Sequence, residues 1–514
     1  MTFNSTLFLN LAQVISTELR ALWLLGAVEA SQWSGRGHAG LDCWSPNINI
    51  ARDPRWGRNQ ETPSEDPTLN GLFGKLYTKG LQEGEDSRYL KVVVTLKHWD
   101  AYSLEDADGF TRHNFNAIVS DYDLYNTYYP AFKTSIIDGG AKGIMCSYNA
   151  LNGIPTCAHP NLTSVLEDWN FSGYITSDTG AIADIYQEHK YVSSGEEAAC
   201  RAVVDGRCDI NSGAVYHDSL LGGVKKGFCG MADVDRALYN TLKLRFELGL
   251  FDPIENQPYW HVSPSQIATP QAKDLNLLSA LESMVLLKNE GKILPFPTGK
   301  SVAVIGPHSN AREALVGNYL GQLCPSNDFS CVQSVYEAIG EWNVGGSVSL
   351  HQGCGLTKND TSGFPAAISA AKQADYVILV MGIDDSIEAE DKDRVSIDLP
   401  TIQHMLIDAI MQLKKPTALV LINGGMVAIE QEKQSVPAIL EAGYPGMLGA
   451  EAIARTLFGK NDHLGGKLPY TIYPADYVNQ VPMSYMGMEP VSNGSPGRTY
   501  RYYKGPVIYP FGYG

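Results

Sequence analysis

The feature that most constrains this chain is an alternation of short apolar runs, each closed by polar residues, with helix-like stretches between them. Val92-Val93-Val94-Thr95-Leu96, Ala141-Lys142-Gly143-Ile144-Met145-Cys146 and Gly173-Tyr174-Ile175-Thr176 read as buried strands. Asp121 to Asp138 reads as a helix, with Asp121 and Asp123 placed to cap it. This pattern predicts parallel β/α architecture. The runs end in Lys97-His98, Ser147-Tyr148-Asn149 and Ser177-Asp178. In a β/α barrel the active site sits at the C-terminal ends of the strands, so these residues are the first candidates for chemistry. A break follows Leu248-Gly249-Leu250-Phe251-Asp252-Pro253, and one helix is expected around Ala272 to Leu287. A second α/β pattern then begins, with strands at Val302–Gly306, Tyr376–Gly382 and Ala418–Gly425 and a helix from Gly446 to Phe458. It suggests a doubly wound sandwich.

At 514 residues the chain is too long for one ordinary core. A formal net charge of −17 disfavours nucleic acid and anionic membranes and suits an uncharged partner, though solubility alone also explains it. The 27 Tyr and 8 Trp supply rings of the kind that sugar sites use, and most of them belong in a core. None of the nine Cys forms a C-x-x-C pair. Cys146/Cys157 and Cys324/Cys331 are near enough in sequence for local disulfides. With sequons at Asn4, Asn161, Asn170, Asn359 and Asn493, they lean toward an oxidising, secreted setting. Met1 to Leu25 has no basic n-region, and Glu18 and Arg20 interrupt its apolar run, so it reads as neither signal peptide nor membrane span. No G-x-x-x-x-G-K-[ST], H-E-x-x-H or G-x-S-x-G occurs, which leaves nucleotide, metal and serine-hydrolase chemistry little support. Gly35 to Gly40 matches G-x-G-x-x-G but follows no strand, and is read as a chance match in a loop.

Asp178, directly after a strand, is either a carboxylate aimed into a barrel mouth or a helix N-cap. Lys97 and His98 can donate to hydroxyls or be structural; Tyr148 and Asn149 can line a site or form a turn. Asp53 to Arg58, with Glu61, Glu65 and Asp66, is dense in Arg, Trp and acids. It can bind hydroxyls, or it can be a buried ion cluster. Glu388, Glu390, Asp391 and Asp393 crowd one short loop. Such crowding can raise a carboxyl pKa toward the range a general acid needs, unless the loop is simply solvated.

Taken together, these segments resemble glycoside hydrolase family 3, and most closely its fungal and plant β-xylosidase branch. The matching stretches run in family order: Gly40 to Asn49, Arg52 to Arg58, Lys97-His98, Met145 to Cys157, Tyr174 to Asp178, Ile387 to Glu390 with Asp393-Arg394, and Tyr509 to Gly514. The resemblance implies a TIM-type (β/α) barrel over 1–250, a linker over 251–300 and an α/β sandwich over 301–514 that carries the acid/base loop. It implies a retaining exo-1,4-β-xylosidase, with Asp178 as nucleophile and Glu390 as acid/base, Glu388 being the second choice. Arg58, Lys97, His98, Tyr148 and Arg112 become ligands of the sugar, and no metal or organic cofactor is required. Lys97 and Arg58 are expected to keep Asp178 ionised. The expected substrate is a xylo-oligosaccharide trimmed from its non-reducing end by a secreted glycoprotein in xylan breakdown. β-Glucosidase or α-L-arabinofuranosidase activity, or an inactive sugar-binding remnant, are the alternatives. Two family features are not found: the N-terminal stretch with its first strand and a sugar-binding carboxylate, and a fibronectin-like domain after Gly514. The stretch Leu22 to Gly37 looks longer than the family pattern, and Asn211-Ser212-Gly213 stands where the branch often has a Cys. A chain incomplete at both ends is therefore expected, its barrel lacking the first strand.

Overall fold

The computed structural model describes residues 1–26, 40–320, 323, 324, 326, 328–492 and 494–514. Gly35 to Ala39 of the glycine match, most of Leu22 to Gly37, and the sequon residue Asn493 lie outside the described residues. Four parallel strands form the first sheet in the order β1 (Asp42–Cys43), β2 (Val93–Trp99), β3 (Gly143–Cys146) and β4 (Tyr174–Ser177). Parallel bridges extend it at Asn47–Lys97 and Thr176–Ile210. All seven residues of β2 are buried, as expected of a parallel strand covered on both faces. Because the strands run the same way, Lys97, His98, Tyr148 and Asp178 emerge on one side.

The expected helix spans Asp121–Ile137 and passes through a π-helical stretch, Leu124–Tyr128. Its cap is Ser120, whose Oγ accepts from the Asp123 N–H at 3.1 Å, rather than Asp121 or Asp123. Ser120 is the last residue with extended backbone; the aspartates stand inside the first turn, where Asp123 Oδ2 accepts from the Ser120 hydroxyl at 3.1 Å.

The N-terminal segment forms a helix, Ser5–Leu24, capped by Asn4. Arg20, which breaks its apolar run, is fully buried and donates to the carbonyls of Lys91, Leu90 and Leu248. The charge is thus spent on carbonyls near the start of β2 and the end of a later helix, where apolar contact could not satisfy them. Among the described residues no helix is long and apolar enough to cross a membrane.

The second sheet has six strands: β5 (Val285–Asn289), β6 (Ser301–Ile305), β7 (Ser347–His351), β8 (Tyr376–Gly382), β9 (Thr417–Ile422) and β10 (Ala438–Glu441), in the order β5-β10-β9-β8-β6-β7. All pairs are parallel except β5 with β10. The helix before it ends at Ser283, so Val285–Asn289 is an edge strand rather than the end of a helix. Alternate residues of the central strands face two separate cores. Ala303, Ile305, Leu379 and Leu421 pack on one side; Val302, Val304, Val380 and Val420 pack on the other. That period of two, buried on both faces, makes this half a three-layer α/β sandwich.

The two halves meet through buried charge. Asp53 lies between Arg55, at 2.7 Å, and Arg498 from the far end of the chain. Glu65 accepts from Thr471 N, Thr471 Oγ1 and Tyr500 N at 3.0, 2.7 and 2.8 Å. Much of the charged segment between Asp53 and Asp66 is therefore a buried ion cluster. Disulfides close Cys146–Cys157 and Cys324–Cys331, and a third joins Cys200 to Cys229.

In the second half, His404 stands between Glu432 at 2.6 Å and Asp398 at 3.1 Å. Burial pushes its imidazole down, but the two carboxylates outweigh this and raise it to about 10. A group raised on folding stabilises fully below its unfolded value, near 6.5, and loses that contribution as pH climbs to the folded value. Unfolding midpoints should therefore fall between pH 7 and 10, and His404→Gln should flatten that slope. An unchanged alkaline slope in the variant would show that the triad contributes nothing.

Candidate active site

The polar strand ends open into a cavity of about 1160 Å³, lined by Asp178, Lys97, His98, Tyr148 and Arg112 from the first half and by Tyr319 and Glu390 from the second. Asp178 leaves β4 with its N–H on the Cys146 carbonyl at 3.0 Å. Gly180 follows in a left-handed conformation (φ 90°), which lets the chain turn at once into the helix Ala181–Gln187. The Gly180 N–H donates to Ser212 O at 2.8 Å, and the Thr179 and Ser212 hydroxyls are 2.7 Å apart. The 211–213 loop is thus zipped onto the strand end. Gly180 stands at the helix cap, so the Asp178 side chain is not used as one. Its Oδ1 accepts from Thr179 N at 2.7 Å and from the Tyr148 hydroxyl at 3.0 Å. Its Oδ2 is buried, has no hydrogen-bond partner, and lies 3.6 Å from His98 Nε2.

Burial and the positive charges of Arg58, Lys97 and Arg112 hold the His98 imidazole well below its usual range, so it is neutral. Asn49 Oδ1 already accepts from His98 N at 2.8 Å and lies 3.0 Å from Nδ1. An amide oxygen requires the proton on Nδ1, which leaves Nε2 a bare acceptor. Two acceptors, Nε2 and Asp178 Oδ2, thus face the cavity side by side with no donor between them. A bound hydroxyl supplies such a donor. Burial pushes the Asp178 carboxyl up; Arg58, the Thr179 N–H, Lys97 and Tyr148 pull it down without offsetting burial. The expectation that Lys97 and Arg58 decide its ionisation gives the right sign for their effect and omits the larger opposing one.

Arg58 is fully buried and gripped by Glu61, with Nε–Oε1 at 2.8 Å and Nη2–Oε2 at 2.9 Å. Asn47 Nδ2 donates to the same carboxylate at 3.0 Å. This bidentate pair points Nη1 toward Glu390 Oε1, at 3.6 Å. Arg112 donates to Glu390 Oε1 at 2.7 Å and Glu105 Oε2 at 3.2 Å, and lies 4.4 Å above the Tyr148 ring. The Tyr319 hydroxyl donates to Glu390 Oε2 at 2.9 Å, and its ring lies 4.4 Å from Lys97 Nζ.

The four acids of the 388–393 loop do not face one another. Glu388 turns into the core, accepting from Gly424 N at 2.8 Å, Gly425 N at 2.9 Å and the Tyr444 hydroxyl at 2.9 Å, beside Arg394. Asp391 pairs with Arg112 at 2.8 Å, and Asp393 accepts three backbone N–H groups. Burial pushes Glu390 up, but Arg58, Arg112 and Tyr319 outweigh it and bring the carboxyl to about 2. At Glu390 the acid crowding read from the sequence as a pKa-raising device gives way to cation pairing, whereas burial pushes Glu388 up and burial with Glu105 brings Asp393 to about 7.

All seven residues singled out from the sequence thus come together at one cavity, counting Arg58 through its contacts with Glu390 and Tyr319. Glu61, Asn49, Glu105 and Tyr319 were not singled out as site residues. Glu61 had a usable signal, the three-residue spacing from Arg58; Tyr319, in a loop after Gly317-Asn318, had none.

Both halves of the chain are similar to known proteins. Residues 34–244 match the glycosyl hydrolase family 3 N terminal domain, and residues 284–514 match the corresponding C-terminal domain. The chain is 41% identical to beta-D-xylosidase 1 of Arabidopsis thaliana and 42% identical to a probable exo-1,4-beta-xylosidase of Aspergillus terreus. It is 39% identical to a beta-xylosidase/alpha-L-arabinofuranosidase of Medicago sativa. In each case all of this chain aligns, with 64%, 65% and 65% of the relative. A solved GH3 exo-beta-xylosidase, in complex with a xylobiose aziridine activity based probe, superposes with a TM-score of 0.91 at 34% identity, over 99% of this chain and 64% of that one. A beta-glucosidase from Listeria innocua in complex with glucose gives 0.79 at 26% identity, over 100% of this chain and 70% of its own. The chain spans about 64% of the length of the first curated relatives it matches.

Proposed function

The chain belongs to glycoside hydrolase family 3, a TIM-like barrel followed by an α/β sandwich, and from that premise we propose that it is a retaining exo-β-xylosidase acting on xylo-oligosaccharides. One observation carries the reading: a barrel carboxylate with a bare oxygen, Asp178, and a sandwich carboxylate held by two arginines, Glu390, line the same cavity. Asp178 Oδ2 attacks the anomeric carbon while Glu390 delivers a proton to the departing oxygen, so the glycosidic C–O bond breaks as the ester forms. Glu390 then takes a proton from water, whose oxygen displaces Asp178 and restores both carboxyls. Tyr148 and Thr179 N–H hold Oδ1 so that Oδ2 is the attacking atom. His98 Nε2, Lys97 and Arg58 are the groups that bind the glycone hydroxyls. In the unliganded cavity, pairing keeps Glu390 at about 2, in its base form. The acid form arises when bound sugar engages Arg58, Arg112 and Tyr319 as its own donors and covers the carboxyl from water.

Xylose as the glycone is supported by the names of the relatives, one of which pairs xylosidase with arabinofuranosidase activity. Secretion as a glycoprotein is supported by the three disulfides and by the exposed sequon residues Asn4, Asn161, Asn170 and Asn359. The test is hydrolysis of aryl β-D-xyloside, β-D-glucoside and α-L-arabinofuranoside by the purified chain. The xyloside should be cleaved at least about tenfold faster than the others, a gap of about 1.4 kcal/mol in transition-state binding. A faster glucoside or arabinofuranoside would reassign the glycone, and no cleavage by a folded chain would sink the reading.

A further inference from the structure

The cavity floor belongs to the barrel, but Glu390 is carried by a loop of the sandwich, and the loop must be held to the barrel mouth within a fraction of an ångström. The contacts that do this surround Asp393. Its Oδ1 accepts from Gly57 N at 2.9 Å; its Oδ2 accepts from Glu105 N at 2.6 Å and Asp106 N at 2.9 Å. All three donors are barrel backbone. The next residue continues the junction, with Arg394 N donating to Arg55 O at 2.8 Å. On the other side of it, Asp391 N donates to Glu105 Oε2 at 3.1 Å. The loop and barrel backbones touch directly: a Cβ on Gly57 would lie 1.9 Å from Lys392 O and 2.4 Å from Ala389 O. Glu105 is also the carboxylate that receives Arg112, Tyr102 and the Trp56 indole N–H. The barrel segment at Glu105-Asp106 therefore helps fix both the path of the Glu390 loop and Arg112, one of the two arginines beside Glu390.

We propose that Asp393 is a positioning residue: by binding three barrel backbone N–H groups it docks the sandwich loop and sets where the Glu390 carboxyl stands over the cavity. The proposal rests on the reading of Glu390 as acid/base. A residue acting through the acid must matter most when the leaving group most needs a proton.

The test compares Asp393→Ala, Asp393→Asn and Glu390→Ala on a series of aryl β-D-xylosides of falling leaving-group pKa, using the full chain. Asp393→Ala should lower kcat/KM by about 10- to 100-fold on phenyl xyloside, as expected for a misplacement near 1 Å. On the 2,4-dinitrophenyl substrate kcat/KM should change less than about threefold, while kcat and KM fall together because hydrolysis of the glycosyl-enzyme still needs Glu390 as base. Asp393→Asn keeps one acceptor oxygen and should show the same trend at smaller size. An equal loss across the series, or none, would overturn the proposal. A flat series for Glu390→Ala would instead remove the acid/base reading. Amide hydrogen exchange then tests docking without turnover. Exchange in 55–58, 104–107 and 386–394 should rise in Asp393→Ala while the strands Tyr376–Gly382 and Thr417–Ile422 stay protected. Unchanged exchange at the junction would also overturn the proposal.

Discussion

Asp178→Asn is expected to lower xyloside hydrolysis by about 10⁴-fold while leaving the protein at least as stable as before. The amide has the shape of the carboxylate and can still accept from Tyr148 and the Thr179 N–H through its oxygen. It lacks the charge that makes Oδ2 a nucleophile, so no glycosyl ester forms. The stability half of the prediction follows from the direction of the Asp178 shift. Burial raises this carboxyl above its unfolded value of 3.8, so at neutral pH folding must carry a charge that water would solvate better. Removing that charge removes the cost, whereas most buried polar substitutions add one. The measurements are kcat/KM on aryl xyloside and the thermal midpoint at pH 7. A variant keeping more than about a tenth of the activity would show that Asp178 is not the attacking group.

Only part of this site is written locally in the chain. Lys97-His98, Tyr148 and Asp178 could be read because each closes an apolar run, and parallel β/α topology sends every such end to the same side. The sandwich strands were legible for the same reason, since Val377 to Met381 and Ala418 to Ile422 are apolar on both faces. Val285–Asn289 was not. At five residues, with Lys288 and Asn289 inside it, it resembles the end of the preceding helix, and only its antiparallel partner Ala438–Glu441 makes it a strand. Cys200 and Cys229 lie 29 residues apart, a separation that carries no pairing signal. The charge state of Glu390 reversed the local reading because the groups that set it, Arg58 and Arg112, lie hundreds of positions away. Local composition sees four acids in six residues and predicts repulsion; the fold gives Glu388 to Arg394 and the Gly424-Gly425 turn, Glu390 and Asp391 to Arg112, and Asp393 to barrel backbone. The sandwich loop's attachment to the barrel is likewise a long-range fact, carried by backbone N–H groups that any sequence possesses.

The choice between Glu390 and Glu388 turns on the same distinction, and paired substitutions should separate the two glutamates by kind of damage rather than by degree. Glu390→Gln should fold normally, because its side chain borders the cavity and is a third exposed. Its kcat/KM should fall about 10²- to 10⁴-fold on substrates with poor leaving groups and far less on 2,4-dinitrophenyl xyloside, whose departure needs no proton. Glu388→Ala should lose its fold before its chemistry. Its carboxylate is fully buried, closes the turn at Gly424-Gly425 and stands 3.5 Å from the guanidinium of buried Arg394. Removing it strands that arginine and two N–H donors away from water, a loss of about 3–5 kcal/mol. Denaturant unfolding should register that loss, and any surviving activity should fall equally across all leaving groups. Should Glu388→Ala instead prove stable and selectively impaired on poor leaving groups, while Glu390→Gln stays active, the acid/base role would pass to Glu388. The structure argues against that exchange for a geometric reason. The Glu388 oxygens are committed to Gly424, Gly425, Tyr444 and Arg394, and Glu388 does not line the cavity into which Asp178 opens.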